Sequence, residues 1–106
     1  MTNITRSLVV LAATVCLAGS VGFAQSSGEA VYKAKCQMCH GAKGAADTPT
    51  AKMLKVIPLN SPEMKKLTEA DMIKSTTDGK GKMPAFKGKL SDAQIKEVVT
   101  YFRALK

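Results

Sequence analysis

The sequence contains no tryptophan, and its two tyrosines and three phenylalanines bring aromatic residues to only 5% of the chain. A core built mainly from aromatic bulk is therefore excluded, and something else has to fill the centre. Histidine occurs once and cysteine three times. A structural zinc site needs four protein ligands, and Cys16 falls in an apolar leader, so the rest of the chain cannot supply them. No segment alternates with the period of a strand, and no internal repeat is present. The reading is an all-α domain with three or four helices around a shared centre.

The one long apolar run stands at the start. Met1 to Arg6 is short with a single basic side chain, Leu8 to Gly19 is apolar, and Gly22-Phe23-Ala24 places small residues where a signal peptidase reads. Residues 1–24 are read as a signal peptide cleaved after Ala24. The rival reading is a retained anchor, because Leu8 to Ala24 falls just short of the roughly 18 apolar residues of a span. Ala13-Thr14-Val15 lacks the small residue that precedes a lipoprotein cysteine, so Cys16 is discarded with the leader. The expected location is periplasmic or otherwise exported, with no stable membrane insertion once the leader is gone.

Residues 25–106 then form one domain, which the structural role of a staple suits: a core this small is marginal without disulfides, a metal or a large cofactor. Removing Arg6 leaves 15 basic against 8 acidic side chains, a net charge of +7. Such a balance implies partners with acidic faces. Nucleic acid is excluded as a partner by export and by the lack of an aromatic-studded basic groove. A monomer is expected.

Gln25-Ser26-Ser27-Gly28 reads as a polar lead-in, followed by a helix from about Glu29 to Met38. Gly28, Tyr32, Cys36 and His40 recur every four positions on one stripe. Gly41 to Ser61 reads as an irregular loop with room for one short turn of helix. Ser61-Pro62 starts a short helix through about Leu67, and Thr68 to Asp71 caps another that carries Met72, Ile73 and Thr76 and closes at Asp78-Gly79. Residues 79–90, with three glycines, form a loop. Ser91 to Gln94 fits a capping box and opens a helix with Ile95, Val98, Val99, Phe102 and Leu105 on one face.

The chemistry concentrates in Cys36-Gln37-Met38-Cys39-His40. Positions i, i+3 and i+4 bring three ligand-type side chains onto one face within about a single turn. A thioredoxin-like dithiol needs C-x-x-C at a strand-to-helix junction, and a plain disulfide here closes too short a loop to stabilise much. Covalent haem attachment uses every residue of the motif: both thiols add to the vinyl groups on one porphyrin edge, and the adjacent histidine binds iron. Haem, dithiol, disulfide and chance all remain open on the motif alone, with haem ahead. Its completion outside the cytoplasm agrees with the leader.

Taken together, residues 27–106 resemble a small bacterial class I c-type cytochrome. Gly28 and Tyr32, eight and four residues before Cys36, match the family's glycine and aromatic on its first helix. Val98, Tyr101 and Phe102 match the positions where the last helix crosses the first. The resemblance implies the cytochrome c fold and one covalently attached haem c, its thioethers on Cys36 and Cys39 and its iron on His40. In much of the family a proline soon after the motif offers its carbonyl to the outer nitrogen of the histidine. Here the first proline is Pro49, so either Pro49 or another carbonyl takes that part.

For the second axial position the sequence offers Met38, Met53, Met64, Met72, Met83 or a lysine. Met38 lies on the wrong side of the turn, and Met64 and Met72 fall in helices where core packing is the usual role. Met83 sits in the glycine-rich loop before Pro84, which holds the preceding backbone extended. Lys-Met-Pro followed by an aromatic also resembles the family's methionine-ligand loop, so Met83 is the expected ligand and Met53 the runner-up.

Histidine and methionine together favour ferrous iron and leave no open position. The function implied is one-electron transfer between a donor and an acceptor, not enzymatic turnover. The alternatives are a gas-binding or catalytic haem module with a displaceable sixth ligand, or a non-haem C-x-x-C redox module. Lys43, Lys80, Lys82, Lys87 and Lys89 flank the two haem-contacting segments as a ring for steering partners.

Overall fold

The computed structural model describes residues 23–106, so the leader, its cleavage signal up to Gly22 and Cys16 lie outside the described residues. The first helix, α1, spans Phe23–Val31 and continues through a π-helical turn, Tyr32–Cys36, into α2, Gln37–His40. The helix thus begins ahead of the expected Glu29 and runs past Met38. Residues 25–28 are helical instead of a lead-in, because their segment packs against the last helix and tertiary contact outweighs weak local preference.

Four further helices follow. They are α3 (Pro49–Leu54), α4 (Pro62–Lys65), α5 (Glu69–Asp78) and α6 (Asp92–Arg103). The starts of all four are written locally. Thr48, Ser61, Thr68 and Ser91 each accept a hydrogen bond from the backbone N–H three residues on, and Pro49 and Pro62 occupy the first turn. Thr68 with Asp71, and Ser91 with Gln94, close reciprocal capping boxes. α3 is the short turn of helix for which the segment from Gly41 to Ser61 had room. Among the described residues there are two isolated bridges, Lys80 with Met83 and Lys87 with Leu90, and no strand.

The centre lies where α1 crosses α6. A Cβ built on Gly28 would stand 2.5 Å from the Glu97 carbonyl oxygen and 3.2 Å from Tyr101 Cβ, so only a glycine lets the two backbones meet this closely. Beside the crossing Tyr32 and Ile95 are almost completely buried, with Val98 and Val99 next to them on the same face of α6. Each such side chain contributes about 1.5–3 kcal/mol through burial. Three of the five aromatics gather here: Tyr32 lies 5.4 Å from Tyr101 and 5.9 Å from Phe102, ring centre to ring centre.

Candidate functional site

The C-x-x-C-H segment straddles the end of the π-helical turn and the short α2, so its geometry is inherited from the rod that packs on α6. Cys36 and Cys39 are half-buried free thiols, not joined in a disulfide. Burial, and then the neighbouring Cys39, pushes the Cys36 thiol up to about 11. Burial holds His40 below its ordinary value, so its imidazole is neutral at pH 7 and keeps a lone pair for a metal. The ring stands edge-on to Phe102, with centroids 5.1 Å apart.

A cavity of about 560 Å³ opens beside this segment. Cys36, Cys39 and His40 stand on its wall, and so do Met83, Pro84 and Phe86 from the loop after α5. Val98, Val99 and Phe102 of α6 close it with apolar surface. Two thiols, a neutral imidazole and a thioether in one apolar cavity match the donor set that a covalently attached haem requires. By contrast, no group of three or more His, Cys, Asp and Glu side chains among the described residues is placed to hold a bare metal ion.

Position separates the expected ligand from two of its rivals. Met83 lines the cavity, whereas Met38 and Met53 are 72% and 71% exposed and do not. Met64 and Met72 also line it, Met72 as a buried member of the core. Met83 is held in a tight turn, in which Lys80 N–H donates to the Met83 carbonyl at 3.1 Å and Met83 N–H donates to the Lys80 carbonyl at 3.0 Å. Phe86 N–H and Lys87 N–H then donate to the Thr76 and Thr77 carbonyls at 3.0 and 3.1 Å, tying the loop back onto α5.

The outer side of His40 differs from the expectation. Nδ1 is buried with no hydrogen-bond partner in the protein, and Pro49 instead begins α3. The loop between them is fastened by other bonds: Ala46 N–H donates to the His40 carbonyl at 2.9 Å, and the Tyr32 hydroxyl donates to the Gly41 carbonyl. Thr48 Oγ1 donates to the Met38 carbonyl at 2.7 Å, which pins the start of α3 to α2.

The lysine ring is also rearranged. Lys80 and Lys82 line the cavity and are exposed, joined there by Lys35 and Lys55, which sequence reasoning had not singled out. Lys43 belongs to a separate groove with Leu59 and Lys65, while Lys87 and Lys89 are exposed outside both. Sequence reasoning also missed Leu54, Val56 and Ile57 as cavity walls. Their signal was the apolar pair Met53-Leu54 and the apolar run 56–59 inside an otherwise polar, small-residue segment.

The family model described as cytochrome c oxidase, cbb3-type, subunit III matches residues 23–102. Cytochrome c6 of Leptolyngbya boryana is 43% identical over 76 residues, covering 72% of this chain and 86% of that protein. Cytochrome c6 of Picosynechococcus sp. is 38% identical over 101 residues, covering 90% of this chain and 86% of that protein. The crystal structure of cytochrome c6 from the diatom Phaeodactylum tricornutum superposes with a TM-score of 0.57 at 36% identity, over 76% of this chain and 91% of that one.

Proposed function

Because the chain belongs to the c-type cytochromes, as a small monohaem class I member, we propose that Cys36, Cys39, His40 and Met83 are the side chains that hold its haem. The protein is a one-electron carrier and not an enzyme, and its cofactor is one covalently attached haem c with its iron. That kinship sets aside the gas-binding, catalytic and non-haem dithiol alternatives. When bound, the haem supplies one-electron chemistry through the ferrous and ferric states of its iron.

In this reading the thiols of Cys36 and Cys39 would hold the haem through two thioether bonds. His40 would hold the iron through an imidazole nitrogen and Met83 through its thioether sulfur, and a site filled by these two side chains would serve electron transfer and not substrate binding. The single observation behind the assignment is that these four side chains, two segments apart in the chain, share the walls of one apolar cavity. Val98, Val99 and Phe86 give the cavity apolar walls, which would limit the reorganisation that each electron transfer costs.

The carrier exchanges electrons with redox partners, and in our reading those partners dock acidic faces against Lys35, Lys55, Lys80 and Lys82 while the protein remains a monomer. We also read the chain as exported with residues 1–24 removed. No helix among the described residues is long and apolar enough to cross a membrane. The match to the Picosynechococcus protein covers 90% of this chain, more than residues 23–106 account for, and therefore includes part of the apolar leader.

Absorption spectra of the exported protein in both redox states, with its intact mass, test the assignment. The expected result is the mass of residues 25–106 plus one haem and the spectrum of a low-spin histidine–methionine centre. A colourless protein without haem mass, or a spectrum unchanged in Met83→Ala, overturns it.

A further inference from the structure

We infer that Gly79 is a positioning residue for Met83: the backbone of the methionine loop occupies the space that any side chain at position 79 would need. The inference rests on the reading of Met83 as the sulfur ligand. Gly79 terminates α5 with φ 78° and ψ 161°, a region open almost only to glycine. A Cβ built there would stand 2.9 Å from the Met83 carbonyl oxygen, 2.9 Å from the Ala85 nitrogen and 3.2 Å from the Pro84 carbonyl carbon. All three are backbone atoms, so no flexible side chain can move aside.

The rest of the loop makes that contact consequential. Its return arm is fastened to α5 by the bonds from Phe86 and Lys87 to Thr76 and Thr77, and the buried Phe86 ring anchors it. The outgoing arm is Gly79 itself, and the two mutual bonds between Lys80 and Met83 close the turn between them. With both arms held, pressure at position 79 can be relieved only by lifting the segment 83–85 away from α5. That movement carries the Met83 side chain with it. Gly88 offers a contrast, because it also has a positive φ, 80°, yet a Cβ there would meet nothing within 4 Å.

The test uses the haem-loaded protein as Gly79→Ala, Gly88→Ala, Met83→Ala and the Gly79→Ala/Met83→Ala pair. Four properties are read: haem mass, the sulfur-to-ferric-iron absorption, the reduction potential and the rate of cyanide binding. Gly79→Ala is expected to keep its covalent haem, lose most of the sulfur absorption and fall in potential. Its cyanide binding should be faster by about tenfold, the equivalent of about 1.4 kcal/mol. Gly88→Ala should match the unmodified protein in all four.

Unchanged sulfur absorption and cyanide rate in Gly79→Ala overturn the inference. If Met83→Ala keeps the sulfur absorption, the assignment of Met83 itself fails, a separate result. Global unfolding of the single and paired variants separates positioning from bulk stability. A Gly79→Ala penalty that shrinks once Met83 is gone supports positioning. An equal penalty in both backgrounds, or failure to fold in both, makes Gly79 merely structural and overturns the inference.

Discussion

Gly28 and Glu97 meet backbone to backbone, with the space for a Cβ on Gly28 ending 2.5 Å from the Glu97 carbonyl oxygen. This contact sets the separation of α1 and α6, and with it the position of the C-x-x-C-H segment at the far end of the same rod. Gly28→Ala forces the helices apart. Overpacking at such a site costs about 1–3 kcal/mol. At about 4–8 °C per kcal/mol for a domain of this size, thermal unfolding should show a clear drop, and an unchanged midpoint would show that the crossing is more pliable than its geometry states.

Met83→Ala should leave the covalent haem in place, because the thioethers are independent of it, while the sulfur absorption disappears and carbon monoxide binds the reduced protein rapidly. Met53→Ala should change neither property, since Met53 is exposed and lies outside the cavity. Visible spectra with and without carbon monoxide check both variants, and rapid binding to the unmodified protein would contradict a filled sixth position.

Asp71 gives the fold an acid-sensitive contact. Its carboxylate accepts hydrogen bonds from the Thr68 backbone N–H and hydroxyl, both at 2.8 Å, and these hold it below the ordinary carboxylate value. A group whose folded value is depressed stabilises the protein above its unfolded value, here 3.8, and loses that contribution as pH falls through the folded value. Asp71→Asn should therefore be less stable than the parent at neutral pH, and the gap should close as pH drops below 3.8. Urea unfolding across that range measures it.

Lys80 and Lys82 stand at the cavity mouth. If they steer an acidic partner, Lys80→Glu and Lys82→Glu should slow electron transfer by lowering the encounter rate. The parent rate should also fall as salt shortens the screening length from about 10 Å at 0.1 M ionic strength. Stopped-flow transfer to an acidic acceptor over a salt series decides this, and a flat dependence removes the docking role. Lys87→Glu, farther from the mouth, should have the smaller effect.

Interactions that close within three or four residues were legible without the fold. Ser61, Thr68 and Ser91 cap the helices the sequence assigned to them, because a cap is a hydrogen bond from one side chain to a backbone N–H three residues on. The C-x-x-C-H motif was legible for the same reason, as its three groups depend on a single turn. The polar segment before Gly28 was misread because its helix is stabilised by α6, about seventy residues away in the chain, which no local propensity encodes.

The sequence by itself determined the chemistry: which side chains can attach a haem, that they lie on one helical face, and that one glycine-rich loop carries a methionine before a proline. Only the tertiary structure decided their relation to each other. It placed Met83 on the cavity wall and left Met53 outside, put Lys35 and Lys55 at the mouth where Lys43 had been expected, and enclosed His40 Nδ1 without the Pro49 carbonyl. The reason is physical: ligand types follow from residue identity, but the walls of a cavity come from segments brought together by burial, and that arrangement depends on close contacts such as Gly28 with Glu97 and Gly79 with Met83.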